Sequence, residues 1–144
     1  MTTIALDSSG LIAYDSRECC GSTIVDDNCD KRVSQNGLHY FFCGRTADQD
    51  LLIEAVEGIA RETYHEAVNI HAIVILGKEI YTAGISKEEG YYWQQERKGN
   101  PVTRGSGSDH ALTALDCGCN AKEAVKYAMK RDNNTGGKIR TFQV

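Results

Sequence analysis

The chain has 144 residues, of which 41% are hydrophobic and 25% are charged, a composition typical of globular proteins. This is the length of one ordinary domain, so residues 1–144 are predicted to form a single domain with its own core. The net charge of −4, without any basic tract, argues against nucleic acid or an anionic membrane as the main partner.

The first half of the chain is predicted to contain mainly strands and one helix. Two short apolar runs on either side of Ser8-Ser9-Gly10 indicate a β-hairpin over residues 3–14. Further strands are predicted at residues 22–25 and 39–43. From Asp48 onward, apolar residues recur with helical spacing. This pattern predicts an amphipathic helix that ends near Tyr64.

The second half begins with three predicted strands, at residues 70–76, 79–85 and 91–95, which are separated by turn residues. After the Gly-Ser-Gly-Ser stretch, small apolar residues form two helical stripes with a break at residues 117–120. A Gly-Gly pair then leads into a last strand, at residues 138–144. Runs of antiparallel strands with separate helices indicate an α+β layered domain rather than a βαβ fold.

The cysteines and the N-terminal residues bear on the compartment. No apolar run approaches the roughly 18 residues that span a bilayer, and residues 1–7 lack the basic and apolar regions of a signal peptide. The cytoplasm is therefore the expected location, and the six cysteines are expected to be reduced thiols. Their spacings match no familiar zinc site, so we expect no metal and no cofactor.

A chemical role for Thr2 depends on the residue before it. A small second residue permits removal of the initiator Met1, which would leave Thr2 with a hydroxyl and a free α-amine. The unperturbed pKa of such an amine is about 7.7–8.0, so it can act as the general base for the hydroxyl of its own residue. The side chain of Thr3 points to the opposite face of the strand and cannot replace it. Many proteins begin with Met-Thr, so this start alone does not identify a nucleophile.

Four further segments strengthen the interpretation, because together they resemble the proteasome β subunits and the bacterial ATP-dependent proteasome-like protease. Residues 1–5 and 12–17 are similar to the opening strands of that family. Residues 44–48 resemble its Gly-Gly-x-Ala-Asp turn, and residues 105–108 resemble its Gly-Ser-Gly-Ser turn. Residues 131–137 are similar to its Arg-Asp-x-x-Ser/Thr-Gly-Gly segment. The resemblance covers nearly the whole chain, with the segments in the right order.

The resemblance implies a fold, namely a four-layer αββα sandwich with two antiparallel sheets and helices outside them. It also implies a set of catalytic residues. Thr2 matches the nucleophile, Asp15 and Lys31 match the acid and the lysine beside it, and Gly44 matches the glycine whose N–H forms the oxyanion hole. The supporting polar group around the α-amine is matched by Ser106, Asp132 and Thr135.

The family's second turn glycine is replaced by Arg45, which could read an acidic group of a substrate or could block the pocket. We expect Arg45 and Thr46 to contact substrate. For the other residues, plainer interpretations stay open: Asp15 could begin a turn, residues 105–108 could be a flexible loop that caps a helix, and residues 132–134 could be a helix exit. Lys31 and its neighbour Arg32 could form a solvated face, although strand alternation lets only one of them point inward.

The sequence therefore favours a threonine-type hydrolase of amide bonds, most simply peptide bonds in peptide or protein substrates. From the resemblance to ring-forming proteins we expect a homo-oligomer, with a ring and an ATPase partner as further possibilities. Two alternatives stay open. One is a catalytically silent relative that serves as a scaffold or regulatory binding module, which retention of Met1 would favour. The other is an amidase with the same nucleophile and a small-molecule substrate.

Overall fold

The computed structural model describes residues 1–144, and its eleven strands form three separate antiparallel sheets. The strands are β1 (Thr3–Leu6), β2 (Leu11–Tyr14), β3 (Glu18–Cys20), β4 (Thr23–Asp26), β5 (Arg32–Gln35), β6 (Leu38–Gly44), β7 (Asn69–Leu76), β8 (Glu79–Ser86), β9 (Gly90–Gln95), β10 (Val102–Gly105) and β11 (Arg140–Gln143). The helices are α1 (Gln49–Val56), α2 (Ser108–Asp116) and α3 (Ala121–Met129), and a short 3₁₀ turn, Thr46–Asp48, precedes α1. None of these helices has the length and apolar character that crossing a membrane requires.

The four-stranded sheet has the order β10-β1-β2-β11, and the five-stranded sheet has the order β5-β6-β7-β8-β9. The predicted hairpin is present as β1 and β2, which pair antiparallel with Leu6 opposite Ile12. Gly10 has a φ of +88° in the connecting turn, a conformation that glycine adopts without strain. The remaining sheet is the small hairpin of β3 and β4.

The main core lies between the two large sheets and follows from strand alternation. Ile4 and Leu6 of β1 face the second sheet, where they join a buried cluster with Phe41 and Ile73. Ala5, on the other face of β1, packs against α2 and α3. Because successive side chains of a strand point to opposite faces, Thr2 lies on the side of Ile4, at the end of the cleft between the sheets.

Helices α2 and α3 lie on the outer face of the four-stranded sheet through small side chains. Their buried contacts are mostly alanines, among them Ala111, Ala121, Ala124 and Ala128, which lets the helices approach the sheet closely. The start of α3 is fixed by a capping box, in which the Asn120 side chain accepts from the Glu123 N–H.

The expected four-layer αββα sandwich is wrong. The chain is mostly β, with 39% strand and 20% helix, and it has three sheets and only three α-helices. Only α1 contacts the five-stranded sheet from outside. Its eight residues give a length of about 12 Å, whereas five strands span about 19 Å. One short helix cannot form a layer over that sheet.

The other differences from the sequence interpretation concern the end of one helix and three strands that were not predicted. Helix α1 ends at Val56 rather than near Tyr64, because Gly58 takes a φ of +100° and its N–H bonds to the carbonyl of Ala55. Ile59, which the pattern placed on the buried face, is 64% exposed. The pattern also missed the three polar strands β3, β5 and β10. Apolar and polar residues do not alternate regularly in these three strands, so hydrophobic periodicity did not predict them.

Candidate active site

The ends of three strands bring Thr2, Lys31 and Asp15 together. Thr2 immediately precedes β1, Asp15 follows β2, and Lys31 precedes β5. The Lys31 Nζ donates to Thr2 Oγ1 at 2.6 Å and to Asp15 Oδ1 at 2.9 Å. All three residues are buried, with 4%, 8% and 0% exposure for Thr2, Lys31 and Asp15. The arrangement puts a positive charge against the hydroxyl of Thr2 in a site largely shielded from water.

The carboxylate of Asp15 is held by backbone as well as by Lys31. Its Oδ1 also accepts the Thr3 N–H at 3.1 Å. Its Oδ2 accepts the N–H groups of Gly136, at 2.9 Å, and Arg17, at 3.3 Å. Four donors thus surround a fully buried acid, which balances the cost of removing its charge from water. Asp15 is therefore a fixed anion that orients the Lys31 ammonium rather than the start of an exposed turn.

A second polar cluster, formed by Ser106, Asp132 and Thr135, lies beside Thr2 and Thr3. Ser106 Oγ and Thr135 Oγ1 both donate to Asp132 Oδ2, at 2.5 and 2.6 Å. Ser106 Oγ also lies 3.5 Å from the carbonyl oxygen of Thr2, and Thr135 Oγ1 lies 2.7 Å from Thr3 Oγ1. This last contact shows that the side chain of Thr3 points away from Thr2, as strand alternation predicts.

Asp132 is poised to stay ionised. Burial alone would raise the pKa of Asp132, but the hydrogen bonds from Ser106, Thr135 and the Asn134 N–H lower it below its usual value. The positive charge of the chain's amino terminus contributes in the same direction. An anion at this position attracts a positively charged amino group close to Thr2, such as the one that removal of Met1 would expose.

Gly44 lies at the end of β6 and lines the same cleft as Thr2. The N–H groups of Phe42 and Arg45 bond on opposite edges of the strand, to Lys31 O at 3.1 Å and to Asn69 O at 2.7 Å. Successive strand N–H groups alternate between the two edges, so the Gly44 N–H is directed to the Lys31 edge, beyond the start of β5. Gly44 has a φ of +109°, and a Cβ there would overlap the Asn69 carbonyl. Glycine is therefore required at this position.

Asp48 fixes the segment that carries Gly44. Its Oδ2 accepts the Asn69 N–H at 3.1 Å, and its own N–H donates to the Arg45 carbonyl at 3.0 Å. Its Oδ1 lies 2.7 Å from Nε2 of His65. Since the Asn69 carbonyl in turn accepts the Arg45 N–H, these bonds join Arg45, Asp48 and Asn69 in a closed ring next to Gly44. Asp48 is 2% exposed, which makes it a structural anion rather than a surface group.

A cleft of about 480 Å³ opens in front of these groups, and its lining includes Thr2, Lys31, Gly44, Arg45 and Thr46. Arg45 does not block it. The Arg45 guanidinium donates to the Ala67 carbonyl at 2.9 Å and lies 3.9 Å from Asp48 Oδ2. The guanidinium is therefore bound to the segment before β7 and to the turn before α1, whereas Thr46 remains exposed at the edge of the cleft.

Cysteines also line this cleft, and two of them are poor nucleophiles. Burial raises the pKa of the Cys43 thiol to about 12 and raises the pKa of Cys29 as well. Since the thiolate is the reactive form, both remain as unreactive thiols near neutral pH. All six cysteines of the chain are free. No group of His, Cys, Asp or Glu side chains is placed to hold a metal ion.

The structure therefore brings the predicted site residues into two networks that meet at Thr2 and Thr3, with Gly44, Arg45 and Thr46 along the cleft. Sequence reasoning missed the backbone donor Gly136 and the Asp48–Asn69 bond. The Gly-Gly pair at residues 136–137 and the acid that ends the segment 44–48 were the available signals. A bridge between Asp48 and a residue 21 positions away leaves no pattern in a single sequence.

No family model matches the sequence, and no curated protein is significantly similar to it. Solved structures are similar in fold. BPH from Thiobacillus denitrificans in complex with epoxomicin has a TM-score of 0.69 and 16% sequence identity, over 100% of this chain and 98% of that one. A further structure of the same BPH has a TM-score of 0.70 and 15% identity, over 100% and 97%. At these identities the likeness establishes a shared fold and nothing finer.

Proposed function

We propose that this chain, once Met1 is removed, is a threonine-type N-terminal-nucleophile hydrolase that cleaves amide bonds in peptides. The observation that carries the proposal is the contact of Lys31 Nζ with both Thr2 Oγ1 and Asp15 in a buried site. The resemblance to proteasome β subunits and the bacterial proteasome-like protease points to the same chemistry.

The first step would be attack of Thr2 Oγ1 on the substrate carbonyl carbon. The free α-amine of Thr2 accepts the hydroxyl proton as the C–O bond forms. The Lys31 ammonium favours this step, because a nearby positive charge stabilises the developing alkoxide and keeps the amine neutral. The carbonyl oxygen gains the electron pair and becomes an oxyanion, to which the Gly44 N–H donates.

The second step would release the leaving group. The oxyanion re-forms the carbonyl, the C–N bond breaks, and the α-ammonium returns its proton to the departing amine. An ester between the acyl group and Thr2 remains. Water then attacks this ester with the same amine as base, which yields a carboxylic acid and restores the hydroxyl. Ser106, Asp132 and Thr135 would hold the α-amine in place through both steps.

The complex of BPH with epoxomicin suggests a probe. Epoxomicin is an epoxyketone, a group that reacts with a residue that offers both a hydroxyl and a free amine. Because the identity is only 16%, this likeness supports the choice of reagent and does not carry the activity across.

One observation favours a second candidate, a catalytically silent scaffold. With Met1 present the nitrogen of Thr2 is an amide, which cannot act as a base. The Lys31 Nζ then also donates to the Met1 carbonyl, at 3.2 Å. A chain that keeps Met1 would hold its lysine in this arrangement and would use the fold for assembly or binding alone.

The proposal includes a homo-oligomer in the cytoplasm, a compartment in which free cysteines are the norm. It is tested by incubating the purified protein, with loss of Met1 verified by intact mass, with a mixture of unstructured peptides. Mass spectrometry of the products should show internal cleavage by wild type and none by Thr2→Ala. Cleavage that persists in Thr2→Ala, or no cleavage by verified Thr2-terminal protein, contradicts the proposal.

A further inference from the structure

A second cleft, of about 650 Å³, lies on the other side of Gly44. It is bordered by strands β7, β9 and β10, and it shares Met1, Cys43, Gly44 and Asn69 with the 480 Å³ cleft. Met1 therefore stands at the junction of the two. Its removal would join the two clefts next to Thr2, which lines the 480 Å³ cleft.

The second cleft contains a cation without an acidic partner. Arg104 lies on β10 directly before Gly105, and its side chain is half-buried. Its Nη1 donates to the Thr103 carbonyl at 2.8 Å. The ion pairs of the chain involve other cations, and no carboxylate lies within 4.0 Å of the Arg104 guanidinium. A guanidinium has five N–H donors, so Arg104 retains unused donors that face the cleft.

The groups around Arg104 are neutral or lie at the edge. Burial lowers the pKa of His71, and the Arg104 charge lowers it further, so this imidazole is neutral near pH 7. Burial raises the pKa of Tyr92, and the charge of Arg104 and a hydrogen bond from its guanidinium to the Tyr92 hydroxyl oppose that rise. His71 Nδ1 and the Tyr92 hydroxyl are 3.0 Å apart and satisfy each other. Glu89 lies at the exposed rim and does not pair with Arg104.

We propose that this second cleft binds a carboxylate of the substrate through Arg104, and that Arg104 makes the protein prefer peptides with an acidic group on that side of the scissile bond. The inference rests on the proposed function. A guanidinium binds a carboxylate through two parallel hydrogen bonds, and partial burial strengthens them. The carboxylate belongs either to an Asp or Glu side chain or to the C-terminus of a short product-like peptide.

Matched peptides test the inference with Met1-free protein. For each position next to the cleavage site, one pair of peptides carries either Glu or Gln at that position and is otherwise identical. Each peptide is made in two forms, with a free and with an amidated C-terminus. We expect about a tenfold or greater preference in kcat/KM for the carboxylate form. The Glu-to-Gln arms report a side-chain carboxylate, and the free-to-amidated arms report a terminal one.

Variants assign the preference to Arg104. In Arg104→Gln the ratio should fall to about one, and in Arg104→Glu the preference should move to a Lys peptide. Because each ratio is measured within one variant, a loss of folded protein does not alter it. Arg97→Gln removes an exposed arginine that lies outside the cleft and should keep the wild-type ratio. A wild-type ratio near one in every arm, or a preference that survives in Arg104→Gln, overturns the inference.

A binding measurement separates this inference from the proposed function. Fluorescence anisotropy of labelled Glu and Gln peptides on Met1-free Thr2→Ala protein reports recognition without cleavage. Arg104-dependent binding of the acidic peptide together with inactive wild type would support the cleft and contradict the hydrolase. Cleavage by wild type together with equal binding of both peptides would support the hydrolase and contradict the role of Arg104 in the second cleft.

Discussion

Lys31 Nζ lies 2.6 Å from Oγ1 of Thr2, while Arg32, the next residue, is exposed and has its guanidinium 5.6 Å from the ring centre of Phe142. Strand alternation separates the two cations, so one faces the cleft and the other faces solvent. They provide a matched pair for testing whether the charge beside Thr2 matters.

Lys31→Ala should lower kcat by about 10²-fold or more, because the charge it removes would stabilise a developing alkoxide in a shielded site. Lys31→Arg should not restore activity, since a planar guanidinium cannot replace a compact ammonium there. Asp15→Asn should also lose activity, but its effect should not add to that of Lys31→Ala, because the two act as one unit. Steady-state kinetics on one peptide measure all three.

Arg32→Ala is the control and should match wild type. Loss of activity in Arg32→Ala but not in Lys31→Ala would mean that Arg32, and not Lys31, supplies the charge beside Thr2. If both variants are active while Thr2→Ala is not, Lys31 has no role in the chemistry.

Asp48 would not touch substrate, but its hydrogen bonds hold the segment that carries the Gly44 N–H. Substitution of Asp48 should therefore change kcat through the position of that donor. Asp48→Ala removes the acceptor for the Asn69 N–H, so kcat should fall about tenfold with little change in KM. Asp48→Asn should be milder, because the oxygen of an amide can still accept the Asn69 N–H. The exposed Asp50 supplies the control, and Asp50→Ala should leave both constants unchanged. A rise in KM alone for Asp48→Ala would indicate a loss of substrate contacts instead.

The sequence predicted more of the site than of the layering. Thr2, Gly44 and Asp132 each lie within a short sequence motif. Such a motif can be recognised in a single sequence even when its residues contact distant parts of the chain. The layers depend on where a helix stops, and the apolar pattern ran on to Ile59 although Gly58 had already ended α1. Arg104 lies on a short polar strand that periodicity could not detect, so its cleft emerged only from the fold.

Asp7 links the first hairpin to helix α3, and its charge should stabilise the fold. Its Oδ1 accepts the Ser9 and Leu11 N–H groups, and its Oδ2 accepts the Ala121 N–H at 2.9 Å. Burial alone would raise the pKa of Asp7, but the bonds from Ser9, Ala121 and Leu11 lower it. A lowered folded-state pKa means that the stabilisation is complete above the unfolded pKa of about 3.9 and is lost as the pH falls through the folded value.

Asp7→Asn should therefore reduce the free energy of unfolding by about 1–3 kcal/mol at pH 7, and the difference from wild type should shrink below about pH 4. Urea denaturation at pH 7, 5 and 3 measures it, with Asp50→Asn as the control for a loss of charge. A difference that stays constant down to pH 3 would show that packing, rather than ionisation, is responsible.

The outer faces of α2 and α3 expose apolar side chains that an oligomer would cover. Leu112 is 38% exposed and Tyr127 is 51% exposed. Light scattering should give a mass several times the 15.8 kDa of one chain, and the double substitution Leu112→Glu with Tyr127→Glu should lower it. Ile59→Glu, at an exposed site beyond α1, should not. A clean monomer at tens of micromolar wild-type protein would contradict this prediction.

The most direct measurement of the central claim is covalent labelling of Met1-free protein with epoxomicin, followed by peptide mapping. We predict that the added mass lies on the peptide that begins with Thr2, and that Thr2→Ala and protein that retains Met1 take up none. Cys43, whose pKa is raised to about 12 by burial, should stay unlabelled. A label on a cysteine, or no label on protein with verified loss of Met1, would contradict Thr2 as the nucleophile.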